Sequence, residues 1–426
     1  MDKTNVKYNA YLQILEEELV PAMGCTEPIA IAYGAAKGRE LLGVLPDEIL
    51  VEASGNIIKN VKSVVVPNTG GLHGIEAAAA AGAVAGRPDL LLEVISQVTR
   101  PQQEEMRVYL QEHPVRVECL DGDLVFDIQL TLRGGGSVAK VRIANYHTNI
   151  VHLERNGQVL LDLPVEADDE SGLTDRTLLS MEDIYDFALT VDLADVKDIL
   201  DRQIACNTAI AQEGLTNSYG ANIGQVIRAS SPGDDPLVKA KSAAAAGSDA
   251  RMGGCELPVI INSGSGNQGI TASVPVIVYA RETGAGEEKL YRALVLSNLI
   301  TIHQKTRIGR LSAYCGAVSA GAAAGAAIAW LDGGGYEEII HTVVNALAIV
   351  SGMICDGAKA SCAGKIAAAI DAGILGYRMY QQGQQFYGGD GILSPGVEAT
   401  LDNVGRLGKI GMRSTDREIL QIMLQH

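Results

Sequence analysis

The sequence is poor in aromatic residues. Three Phe and one Trp stand among 426 residues, and aromatics make up 4% of the chain. Alanine runs such as 77–81 and 322–324 take their place and favour closely packed helices over an aromatic-rich core. Lys/Arg-rich runs are lacking as well. With 51 Asp and Glu against 34 Lys and Arg, the net charge is −17. Such a surface repels phosphate backbones, so no nucleic-acid partner is expected. Neither Cys-x-x-Cys nor a His pair occurs, which leaves zinc ribbons and ferredoxin spacings unsupported. The nearest approach to a membrane span, residues 313–331, is mostly Gly and Ala and reads as a buried helix, so no membrane is expected. Met1–Asn5 is polar with no apolar region after it, which argues against a secretory leader and for a cytoplasmic protein. Seven cysteines in such a chain are read as free thiols or ligands rather than disulfides.

Two regions differ in pattern. The first alternates: helices are expected over 8–19, 28–42, 74–86 and 102–112, and strands over 49–53, 61–66, 115–120, 124–132, 138–145 and 148–154. Gly134–Gly136 reads as a turn between two of these strands. The acidic stretch 166–171 reads as a surface linker. Beyond it the periodicity is helical over 181–191, 196–213, 235–246, 287–304, 312–330, 337–350 and 359–374. The expectation is an α/β (α+β) N-terminal domain, residues 1–175, followed by a mostly α-helical C-terminal domain, residues 176–426.

Chemistry-bearing residues gather in a few Gly-rich motifs. Cys25 stands in Met23-Gly-Cys-Thr-Glu-Pro28, Cys315 in Ser312-Ala-Tyr-Cys-Gly316, and Cys355 and Cys362 in the stretch from Ser351 to Cys362. Thiolates drawn from separate Gly-rich turns can meet at one soft metal centre. The plain alternative is that all are small buried hydrophobes. Asn262-Ser-Gly-Ser-Gly-Asn-Gln-Gly269 offers backbone N–H groups and the side chains of Asn262, Ser263, Ser265, Asn267 and Gln268 to an anion, or is an ordinary turn. It is not a Walker loop, because no Gly-Lys-Ser/Thr follows. Pro67-Asn-Thr-Gly-Gly-Leu-His73 places Asn68 and Thr69 near a helix start and His73 as a candidate proton carrier. Asp249 and Arg251 stand just before a Gly-Gly pair, where the Arg suits a carboxylate and a local salt bridge explains both equally. Lys305, Arg307, Arg310, Lys359 and Lys365 are cations near the cysteines, able to lower a thiol's pKa or simply to end helices.

Taken together, Met23–Pro28, Pro67–Gly71, Ser263–Gly269, Leu311–Gly316 and Cys355–Lys359 resemble the L-cysteine desulfidase family, which is related to the alpha chain of iron–sulfur L-serine dehydratases. The resemblance covers nearly the whole chain. It implies a [4Fe-4S] cluster acting as a Lewis acid on a small amino-acid substrate. In the desulfidases the three cluster cysteines correspond to Cys25, Cys315 and Cys355; in the serine dehydratases they correspond to Cys315, Cys355 and Cys362. Where the dehydratases carry Ser-His-Thr, this chain has Gly24-Cys25-Thr26, so the family's proposed base is missing. The implied reaction is β-elimination, with L-cysteine giving pyruvate, ammonia and sulfide, or L-serine undergoing dehydration. His73 and Lys359 are then candidates for the base, and Asn68, Thr69 and the 262–269 loop for substrate binding. A relative that has lost the cluster and only binds an amino acid is the alternative. The Ala/Gly-rich helices are also compatible with a homo-oligomer.

Overall fold

A computed structural model describes residues 1–122, 124–166, 172–231 and 233–425. The acidic stretch read as a linker lies, apart from Glu166, outside the described residues. The first half runs α1 (Val6–Glu18), β1 (Pro21–Met23), α2 (Thr26–Leu42), β2 (Glu48–Ala53), α3 (Gly55–Val61), α4 (Gly74–Ala85), α5 (Arg100–Glu112), β3 (Val115–Cys119), β4 (Asp127–Gly134), β5 (Ser137–Ala144), β6 (Ile150–Arg155) and β7 (Gln158–Asp162). The second half is mostly helical. It comprises α6 (Met181–Thr190), α7 (Leu193–Thr216), α8 (Ile223–Ser230), α9 (Pro236–Met252), β8 (Pro258–Ile260), α10 (Gly266–Glu282), α11 (Glu287–Ile308), α12 (Gly316–Leu331), α13 (Tyr336–Val350), α14 (Cys362–Gln381), α15 (Val397–Arg406) and α16 (Arg413–Leu424).

Strand order in the six-stranded sheet is β3-β2-β4-β5-β6-β7. The β2–β3 pair is parallel and the other neighbours are antiparallel. Alternation sends Ile49, Val51, Ile128, Leu130, Leu132, Val141 and Ile143 to one buried face. That face packs on α2, whose residues from Ile29 to Ala36 are almost wholly buried. The same core continues into α7, α9, α10 and α14 through Ile210, Ala244, Ile270 and Ile366.

A second core lies among α6, α11, α12 and α13, and α1 joins it from the start of the chain. Tyr8 and Tyr11 each meet Phe187 edge-on at 5.3 Å between ring centroids, the arrangement aromatic rings prefer. The short strand β1 pairs antiparallel with β8, with Pro21 opposite Ile260 and Met23 opposite Pro258. These contacts hold the first 25 residues against the helical half.

One expected strand is not formed. Val61 closes α3, Val64 N–H turns back to the Val61 carbonyl at 3.0 Å, and only an isolated bridge joins Val65 to His73. The run is β-branched because Val64 and Val66 fill the core, at 3% and 0% exposure, and not because they pair in the sheet. Among the described residues no helix is long and apolar enough to cross a membrane; Ala/Gly-rich α12 is a buried core helix.

Candidate functional site

Three of the four cysteines singled out in the sequence begin helices. Cys25 is the N-cap of α2, Cys315 the N-cap of α12, and Cys362 the first residue of α14. Cys355 is brought beside Cys315 by backbone pairing. Tyr314 bridges Ile354 antiparallel, Cys315 N–H donates to the Met353 carbonyl at 3.1 Å, and Cys355 N–H donates to the Ala313 carbonyl at 2.6 Å. A fourth helix, α10, starts nearby with Ser265 as its cap, where Oγ accepts from Gln268 N–H.

All four thiols line one cavity of about 100 Å³, together with Glu27, Asn60, Arg251, Ser265, Asn267, Gln268, Lys305 and Arg310. The N-termini of α2, α10, α12 and α14 therefore converge on one space. Each brings orphan N–H groups and the positive end of a helix dipole. The walls favour negative charge.

Burial disfavours the thiolate form of Cys25, Cys315 and Cys362. Burial first, then the neighbouring Glu27, pushes Cys25 well above its usual range, and its Sγ donates to Glu27 Oε2 at 3.0 Å. Burial pushes Cys315 up to about 12, with Cys355 and Cys362 adding to the effect. Cys362 is raised by burial and by Cys355. Among the described residues no three His, Cys, Asp or Glu side chains come close enough to hold one metal ion. The sulfurs ring the cavity instead of meeting at a point.

Lys305, in the last turn of α11, is 4% exposed and lines the cavity. Burial lowers its amine to about 8, even though Cys355 and Cys315 work in the opposite direction. No carboxylate pairs with it among the described residues. Glu27 is buried, which alone would raise it, yet neighbouring charges and hydrogen bonds hold its carboxyl below the usual range. Its Oε1 accepts from Asn60 Nδ2 at 3.0 Å.

Behind Cys355 lies Lys59, only 2% exposed. It pairs with Asp416 of α16 and reaches the Cys355 carbonyl at 3.4 Å. Arg310 forms hydrogen bonds to buried Glu18 at 2.7 and 3.1 Å, and Arg176 reaches the same carboxylate at 2.7 Å.

A model of the serine dehydratase alpha chain matches residues 89–421. The chain belongs to that family. Among its relatives, a UPF0597 protein of Desulfitobacterium hafniense is 60% identical over 424 residues, covering 100% of this chain and 98% of the relative. A UPF0597 protein of Treponema denticola is 49% identical over 430 residues, covering 100% and 99%. Cys315, Cys355, Cys362, Lys305, Gln268 and Arg251 of this serine dehydratase alpha chain relative fall inside the matched span. Cys25, Glu27 and Asn60 precede it.

The other sequence candidates lie elsewhere. Asn68 Nδ2 donates to the Ile95 carbonyl at 2.9 Å, and Thr69 Oγ1 donates to the Val66 carbonyl at 2.7 Å, so both are engaged in their own turn. His73 is exposed at the N-cap of α4. Asn262 Nδ2 donates to Asn298, and Ser263 donates to Asn262. Ser263 lines a neighbouring cavity of about 90 Å³ that shares Lys305 and Arg310 with the first. Lys359 turns to Asp356, which Lys365 also reaches. Sequence reasoning gave Glu27, Asn60 and His147 no role. His147 is buried beside Gly264, and burial lowers it to about 4, so its imidazole is neutral. Lys305, noted from the sequence as a cation near the cysteines, lies on one side of α11 with Asn298 and Thr301, all three buried.

Proposed function

We propose that this chain catalyses β-elimination on a small amino acid at a [4Fe-4S] cluster held by Cys315, Cys355 and Cys362. The observation that carries this reading is the convergence of four thiols and four helix N-termini on one buried cavity. The donor set fits the group. Soft sulfur ligands spaced around a cavity suit a multi-iron cluster, in which each iron takes its own thiolate, better than a single zinc ion. A cluster with three thiolates is anionic, and the helix dipoles offset that charge. Burial disfavours bare thiolates at Cys315 and Cys362, and a bound metal that replaces their protons would neutralise that charge without exposing the sulfurs. Cys362 is preferred over Cys25 as the third ligand because Cys315 senses Cys355 and Cys362 as its sulfur neighbours, whereas Cys25 sits against Glu27 and Arg251.

When bound, such a cluster supplies an open Lewis-acidic iron for one carboxylate oxygen and the β-heteroatom. The protein's own groups do the rest. Lys305, on the cavity wall without a carboxylate partner among the described residues, takes the Cα proton in place of His73 and Lys359. The bond from Cβ to sulfur breaks, the thiolate leaves as sulfide, and aminoacrylate forms. Aminoacrylate tautomerises, and water hydrolyses the imine to pyruvate and ammonia. L-cysteine is the substrate the desulfidase resemblance favours; the matching family's name favours L-serine, whose hydroxide would leave in the same way.

Anaerobic purification followed by iron, sulfide and pyruvate assays tests the reading. We expect about four irons and four acid-labile sulfides per chain, and pyruvate from L-cysteine or L-serine. Cys315→Ser should abolish both. A cluster-reconstituted preparation that makes no pyruvate from either amino acid refutes it.

A further inference from the structure

Three buried polar atoms on the cavity wall have no hydrogen-bond partner among the described residues: Arg251 Nε, Gln268 Oε1 and Asn60 Oδ1. Their side chains are 3%, 4% and 8% exposed. Buried polar groups in folded proteins are almost always satisfied, because an unmade hydrogen bond away from water is costly. Three such atoms on residues lining one cavity are free to bind a polar ligand.

Each atom is held in place. Gln268 lies flat against the backbone that follows Cys315, so close that a Cβ at Gly316 would stand 2.5 Å from Gln268 Cδ. Arg251 lies against Gly266 in the same way, with 2.3 Å from a Cβ to Nε. Asn60 spends its Nδ2 on Glu27 and so presents its oxygen. Rigid, desolvated groups of this kind select a ligand by its own donors and acceptors.

The ligand's chemistry follows from the atoms. Asn60 and Gln268 offer acceptors, and the Glu27 carboxylate stands behind Asn60. An ammonium group has three N–H donors and no acceptor, which fits two acceptor oxygens with the Glu27 carboxylate close behind one of them. Arg251 is a cation with a planar fork suited to a carboxylate. We propose that Asn60 and Gln268 receive the substrate's α-ammonium group and Arg251 its carboxylate, so that this cavity selects α-amino acids against 2-hydroxy acids and unsubstituted acids. The inference rests on the cavity being the substrate site of the proposed elimination.

Binding without turnover tests it. L-alanine, L-lactate and propionate lack a β leaving group and differ only at the α position. Anaerobic calorimetry on the iron-loaded protein should find L-alanine bound at least about ten-fold more tightly than either acid, the worth of a buried hydrogen bond to a charged group. Gln268→Leu should erase that margin while leaving propionate affinity and iron content unchanged. Asn60→Ser should narrow it in the same direction, and serves if Gln268→Leu does not fold. Arg251→Leu should weaken all three ligands alike. L-lactate binding as tightly as L-alanine, no binding of any of the three, or a margin that survives in both amide variants overturns the proposal. A protein that binds L-alanine selectively but forms no pyruvate keeps this inference and loses the elimination. A protein that makes pyruvate yet binds L-lactate as well as L-alanine does the reverse.

Discussion

Glu18→Gln removes one charge from a buried network and keeps the side chain's shape. Glu18 is 3% exposed and accepts from Arg310 at 2.7 and 3.1 Å and from Arg176 at 2.7 Å. Breaking a buried ion pair costs about 3–5 kcal/mol, because it leaves charge desolvated without its counter-charge. The lower end applies here. The amide retains an acceptor oxygen, and Arg176 keeps its second carboxylate, Glu17. A loss of about 3 kcal/mol spread over the unfolding entropy of 426 residues lowers the melting temperature by about 3 °C. The loss should also depend on pH. Burial would raise the Glu18 carboxyl, but Arg310 and Arg176 more than offset it and hold it below 4.5. A group depressed on folding contributes stability above its unfolded pKa and loses it as pH falls through the folded value. The gap between wild type and Glu18→Gln should therefore be full at pH 7 and shrink only below about pH 4.5. Urea denaturation of both proteins across that range measures it. A gap under about 0.5 kcal/mol at pH 7, the size of an exposed pair, or a gap that widens on acidification, refutes the reasoning.

Cys362→Ser should lose most of the bound iron, whereas Cys25→Ser should retain iron and colour and lower kcat; the opposite pattern moves the third ligand to Cys25. Lys305→Met should keep its iron while kcat falls by about 100-fold or more, the usual worth of a positioned base; undiminished kcat removes Lys305 from that role. Lys59→Met leaves Asp416 half-buried without its partner and frees the Cys355 carbonyl. Iron should then pass to a chelator several-fold faster than in wild type, read by the decay of the visible absorbance.

Much of the fold was legible from local signals. The helix expected over 28–42 appears as α2, ended by Gly43 with φ of 85°, the left-handed stop that glycine accepts at a helix end. The strands near 49–53, 115–120 and 138–145 alternate apolar and polar residues and sit in the sheet. Residues 61–66 misled because a β-branched run fills a core as readily as it pairs in a sheet. The attachment of α1 to the helical half rests on contacts between Tyr8, Tyr11 and Phe187, which no local pattern announces. At the site, Gly-rich motifs pointed to the cysteines, to Ser265 and to Asn267 on the cavity wall. The same motifs drew attention to Asn68 and Thr69, whose hydrogen bonds serve their own turn. Lys305 was legible as a cation near the cysteines, but Glu27 and Asn60 lie within helices, where a polar residue looks like solvent-facing surface until the packing turns it inward.

The pairing of β1 with β8 also orders events in time. Pro21–Met23 finds its partner only when Pro258–Ile260 has been made, and Asp416 reaches Lys59 later still. During synthesis Cys25 leaves the ribosome long before the segments that complete its surroundings. A partly made chain therefore offers scattered thiols to a soft metal and no enclosure around it. Quality control follows without a dedicated device, since a chain that stalls or misfolds upstream never builds the cavity that encloses the four thiols.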